Sequence, residues 1–172
     1  MKAKTAAEFL RELEADPELR ANRQRQEREL TERATVHAAD ERELVTEIRA
    51  AGYEVDSVYD LVNNTPHPVL PRKFIGPYPR AYPALLRHLD MPHGKPIREG
   101  IIRALTVRDG GPEVEAALFR AFSKEDHPDL RWVLANALKV AMPYHRRRKH
   151  PEIAAVFAGQ PVGTSDRPSN ER

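Results

Sequence analysis

The sequence predicts an all-α fold, a short α-solenoid of stacked helix pairs preceded by a long charged helix, and three observations predict it. The stretch from Leu85 to Val107 returns 33 residues later, from Leu118 to Val140. Leu85 then matches Leu118, Arg87 matches Arg120, Arg98 matches Arg131, Ala104 matches Ala137, Leu105 matches Leu138 and Val107 matches Val140. A period in this range marks helical units that cannot bury their apolar faces alone and do so by stacking. The apolar residues recur at helical spacing, with no alternation at period two outside one proline-rich stretch. Helix-start signals also recur, as Asp16-Pro17-Glu18, Pro112-Glu113 and Pro151-Glu152. Proline at the first helical position has the φ that a helix needs and loses only an N–H that has no partner there.

Taken in order, Thr5 to Leu13 predicts a short helix, with Thr5 as cap and Glu8 three residues on. Asp16-Pro17-Glu18 restarts the helix, and nothing interrupts it before Ala51. From Ala21 to Glu29 there is no large apolar residue, so this helix is polar all round and bridges solvent. Arg25 with Glu29, Arg28 with Glu32 and Glu29 with Arg33 stand four apart and support it. The apolar repeat that a coiled coil needs is missing. Gly52 ends the helix in the left-handed conformation, with Tyr53 folding back as the apolar contact. Residues 1–52 therefore read as a charged helical arm.

Residues 53–158 read as the repeat domain. Ser57 caps a short helix carrying Val58, Tyr59, Leu61 and Val62, with Asp60 completing a capping box. A proline-rich loop follows at 64–82, where each proline removes a donor and restricts its predecessor. Its Val69, Leu70, Phe74, Ile75, Tyr78 and Tyr82 predict that it packs on the helices. One helix pair then spans about Pro83 to Asp90 and Pro96 to Val107, and a second Pro112 to Phe122 and Asp129 to Met142. A last half-unit, Ile153 to Ala158, closes the stack, and residues 159–172 read as a disordered tail.

Composition narrows the function. The chain has 172 residues, a formal net charge of +2 and a mean hydropathy of −0.65. With no cysteine there is no disulfide framework, thiol nucleophile or thiolate metal site. No stretch approaches the roughly 20 apolar residues of a membrane span. A cytoplasmic protein is expected, with a monomer as the expected state. The seven histidines form no His-Glu-x-x-His pair and no pair four apart, and no phosphate loop or nucleophile elbow is present. No catalytic residues, no metal and no cofactor are therefore expected.

The runs Ile97-Arg98 to Ala104-Leu105 and Leu130-Arg131 to Ala137-Leu138 resemble the second helix of HEAT-like repeats. The stretch from Ser57 through Tyr82-Pro83-Ala84-Leu85-Leu86 to Ile101 is similar to small bacterial HEAT-repeat proteins of unassigned function. The resemblance covers roughly residues 40–158. It implies a right-handed stack of antiparallel helix pairs, a tendency to bind proteins, and no catalytic residues to carry over.

Two surfaces compete for function. On the second helix of the second pair, Leu130, Val133, Leu134, Ala137, Leu138 and Ala141 share one face, and Trp132, Asn136 and Lys139 fall opposite. Glu99, Arg103 and Thr106 hold the equivalent positions one unit earlier. The resemblance implies that these six line a concave, protein-binding surface, with tryptophan the residue type most enriched at binding hot spots. The competing reading of Trp132 is core, covered by the N-terminal helix or the proline-rich loop. The second surface is Arg146-Arg147-Arg148-Lys149, between His145 and His150, which suits a nucleic acid or another anion. Arg98 and Arg131 are expected to pair with acids between units. A non-catalytic interaction module acting on another protein as adaptor, scaffold or inhibitor is the leading reading. A nucleic-acid-associated repeat protein is the alternative, and a HEAT-fold enzyme or lyase the third.

Overall fold

The computed structural model describes residues 16–158, so the expected Thr5 to Leu13 helix and the 159–172 tail lie outside the described residues. Among those described there are nine α-helices, one 3-10 turn and no strand. The helices are α1 (Pro17–Asp40), α2 (Arg42–Ala50), α3 (Val58–Val62), α4 (Tyr82–Leu89), α5 (Lys95–Ala104), α6 (Gly111–Lys124), α7 (Pro128–Ala141), α8 (Tyr144–Arg147) and α9 (Pro151–Ala158), with the 3-10 turn Pro79–Ala81 before α4. Two rows of neighbours result: α2 packs on α4 and α4 on α6, while α3 packs on α5, α5 on α7 and α7 on α9. The rows meet where α4 packs against α5 and α6 against α7.

Local chemistry sets most boundaries. Asp16 Oδ1 accepts from the N–H groups of Glu18 and Leu19, opening α1 as its spacing predicts. Gly52 has φ of +92°, its N–H reaches the Arg49 carbonyl, and the Tyr53 N–H reaches that of Ile48. Those two bonds satisfy carbonyls that the end of α2 would otherwise leave bare. Ser57 and Asp60 form the full capping box of α3.

Four features depart from the sequence reading. The long helix turns at Glu41, whose φ of −90° and ψ of 2° leave the regular helix. Its buried carboxylate is the reason, because Oε2 accepts from the Ser57 hydroxyl and the Val58 N–H and so ties α1–α2 to the start of α3. The core accordingly reaches into the expected arm, through Leu44, Val45 and Ile48 of α2. Of the three ion pairs expected along α1, Glu29 with Arg33 forms, whereas Arg25 bonds Asn22 and Arg28 the Gln24 carbonyl. α5 ends at Ala104 instead of Val107, where the Tyr78 hydroxyl donates to the Ala104 carbonyl at 2.8 Å. In the proline-rich loop Phe74, Tyr78 and Tyr82 pack as expected, joined edge to face with Tyr53, but Val69, Leu70 and Ile75 are exposed.

The 33-residue period has an atomic counterpart. Arg98 Nη1 donates to the Leu89 carbonyl at 3.0 Å, and Arg131 Nη1 donates to the Phe122 carbonyl at 3.0 Å. Each arginine starts the second helix of its pair and closes the C-terminal end of the first, where carbonyls lack helical partners. Arg98 also pairs with Glu125 of the next unit at 3.1 Å, as expected. Arg131 instead donates to the Glu125 carbonyl and lies 4.3 Å over the Phe122 ring.

Candidate functional site

The wheel assignment of α7 places Leu130, Val133, Leu134, Ala137 and Leu138 in the core. Trp132, opposite them, is half-buried, and what covers it is α9: the Phe157 ring meets the indole edge-on at 6.5 Å. The buried indole Nε1 finds no acceptor among the described residues. On the other side of Trp132 a groove of about 400 Å³ runs between α5 and α7, lined by Lys95, Glu99, Arg103, Pro128, Asp129 and Val133. Glu99 and Arg103 pair along α5 at 2.7 Å, and Lys95 pairs with Asp129 across the groove. Trp132, Glu99 and Arg103 are thus brought together. Thr106 and Asn136 each bond the backbone carbonyl four residues back, of Ile102 and Trp132 respectively.

Lys139 belongs to a second groove, of about 520 Å³, between the α7 end, α8 and α9. Its ammonium stands 4.2 Å over the Phe157 ring, the same ring that meets Trp132. Tyr144, Arg147, Arg148 and His150 line the rim, with Tyr144 73% exposed. The stretch read as a charged loop forms the single turn α8, which divides its cations by role. Arg146 pairs with the nearly buried Glu115 of α6 at 2.6 Å, and Arg147 Nη1 donates to the Lys139 carbonyl at 2.6 Å, closing the end of α7. Arg148 and Lys149 remain exposed, and their side chains make no hydrogen bond or ion pair with the described residues.

Lys73 and Arg80 of the proline-rich loop have partners of their own. Lys73 pairs with Asp56, and Arg80 lies over the Tyr53 ring, both at the turn between α2 and α3. The Lys73 pair holds the exposed Asp56 carboxyl below the usual carboxylate range.

A third constellation escaped the sequence reading. Asp40 Oδ1 lies 2.8 Å from His93 Nδ1, His93 Nε2 lies 2.9 Å from His88 Nδ1, and His88 Nε2 lies 3.5 Å from Glu47 Oε1. The rings of His88 and His93 stack, and the His88 side chain is fully buried. Burial, with His93 and Arg87 beside it, holds the His88 ring below its ordinary pKa. Glu43 stands one turn before Glu47 on α2, within reach of the same space. A search for histidines four apart misses this group, because His88 and His93 are five apart and their acids come from α1 and α2. The legible signal was Glu43 and Glu47, on one face of a helix.

Among the described residues no helix is long and apolar enough to cross a membrane. Compared with known proteins, the chain matches no family model, no curated protein and no solved structure.

Proposed function

We propose that the chain is a non-catalytic, cytoplasmic protein-interaction module built on HEAT-like repeats, and that it holds an acidic polypeptide segment of a cognate protein as adaptor, scaffold or inhibitor. The two rows of helices support the repeat reading, as do the matched arginines that close α4 and α6. The observation that carries the function is the continuous strip Trp132, Phe157, Lys139 and Tyr144, flanked by the unpaired Arg148 and Lys149. Aromatic rings give a binding surface large apolar area, and the cations around them select a partner of negative charge. A nucleic acid would draw on all four cations of α8 and its flank. Two of those four are held by Glu115 and by the end of α7.

Selection of peptides from a displayed library of acidic segments, followed by titration of the best binder, tests the reading. Trp132→Ala and Arg148→Ala should each weaken binding by about 1–2 kcal/mol or more, as hot-spot truncations do. Arg103→Ala, at an already paired cation, should weaken it less. The reading fails if no acidic segment binds saturably. It also fails if single-stranded or duplex oligonucleotides bind tightly, with steep salt dependence and no response to Trp132→Ala.

A further inference from the structure

We propose that Glu43, Glu47 and the Nε2 atom of His88 form a site for one divalent transition-metal ion, joining α2 to α4. Independent of the grooves, it rests first on geometry: one donor atom from each of the three residues lies within 4.8 Å of the others. His88 Nε2 and Glu47 Oε1 stand 3.5 Å apart. Two ligands about 2.0–2.1 Å from a tetrahedral ion would be separated by roughly 3.3 Å. The side chains of Glu43 and Glu47 share one face of α2, and that of the exposed Glu43 needs only a rotamer change to close on the ion.

The second observation is the orphaned nitrogen. His88 Nε2 is buried and has no hydrogen-bond partner, although it faces Glu47. With both rings neutral, the hydrogens are set by Asp40, whose carboxylate can only accept. His93 then carries its hydrogen on Nδ1 and accepts at Nε2, so His88 donates from Nδ1 and turns a bare lone pair toward Glu47. A lone pair facing a carboxylate oxygen is repulsive unless a cation offsets it, and the cation at that oxygen is the Arg87 guanidinium, which makes no bond to the ring nitrogen. The run Asp40, His93, His88 is also the arrangement that orients a metal-bound imidazole, its other nitrogen held by a hydrogen bond that ends on a carboxylate.

One imidazole and two carboxylates without a thiolate suit zinc and its neighbours in the first transition row better than calcium or magnesium, which prefer oxygen alone. Arg87 occupies the same Glu47 oxygen. Its side chain is 56% exposed, so the ion would replace a guanidinium that water can take up. Glu43, on the solvent side, marks the way in.

The test is calorimetric titration of the untagged, chelator-stripped full chain with zinc ions, with cobalt absorption as a second readout. One saturable site is expected. Glu43→Gln and Glu47→Gln should each reduce affinity by at least about 10-fold, and Asp40→Asn by about 10- to 100-fold. Arg87→Ala should tighten binding by freeing Glu47. Because Glu43 is exposed, Glu43→Gln should leave the metal-free melting temperature unchanged, which separates a lost ligand from a lost fold. The proposal is overturned if zinc does not bind below millimolar concentration, or if the Glu43→Gln, Glu47→Gln double variant binds as the parent does. Nitrogen NMR of the metal-free chain that finds the hydrogen on His88 Nε2, bonded to Glu47, would overturn it as well.

Discussion

Gly100 sits inside α5 where α3 packs against it, and a Cβ there would stand 2.5 Å from Val58 Cγ1 and 3.1 Å from the Tyr59 ring. Replacing a glycine in a helix interior by alanine ordinarily gains about 0.5–1 kcal/mol. Here the overlap decides the sign. Gly100→Ala should destabilise by about 1–3 kcal/mol, the range for overpacking, as read from urea unfolding. A more stable variant would show that α3 rests loosely on α5. Two buried tyrosines act on alkaline stability in the same local way. Burial, with Asp109 nearby, pushes the Tyr78 phenol up to about 12, and burial with an Asp109 hydrogen bond raises Tyr82 further. Both phenols titrate near 10 in the unfolded chain, so their contribution is fully present below pH 10 and is lost as pH rises toward the folded values. Unfolding free energy should therefore fall above pH 10 by roughly 1.4 kcal/mol per pH unit for each phenol. Urea midpoints that stay flat from pH 9 to 11 would refute this.

At the scale of the element, α5 and α7 stand 33 residues apart and pack side by side. Leu105 and Leu138 occupy matched positions and are both fully buried. Leu105→Ala and Leu138→Ala should each cost about 2–5 kcal/mol, and near-parental stability of both would mean that the two helices do not share a core. α9 differs, because it covers Trp132 through Phe157 alone among aromatic contacts. Phe157→Ala should shift the emission of the one tryptophan to longer wavelength while leaving cooperative unfolding intact. An unchanged spectrum would mean that α9 does not shield the indole. The helices and the core face of α7 were legible in sequence because both depend on period and punctuation, which are local. What was not legible depends on one residue reaching a distant one. Glu41 capping α3, Tyr78 ending α5, Phe157 covering Trp132 and His88 meeting Glu47 are all of this kind. The basic run was legible as a run, but its division into held and unpaired cations needed Glu115 and the end of α7.

Across the whole molecule, burial is unevenly distributed, and α1 stands outside it. None of its residues is buried, and Leu30 and Val36 are 62% and 65% exposed. Its attachment lies at the last turn, where Asp40 accepts from the Gly94 N–H and meets His93, and at Glu41 just beyond. A helix with no buried residue and no apolar face has little tertiary packing to hold it, and packing is what stabilises most helices in proteins. Removing residues 1–36 should therefore leave the melting temperature within about 2 °C of the parent, since even a 1 kcal/mol loss would shift a domain of this size by more than that. The same deletion should lower mean helicity by circular dichroism only in proportion to the residues removed. Extending it through Glu41 should behave differently, because Asp40 and the buried Glu41 carboxylate are lost together and the Val58 N–H at the start of α3 is left without its acceptor. A large drop in melting temperature from the shorter deletion would instead show that α1 packs against something, whether a second copy or another part of the chain.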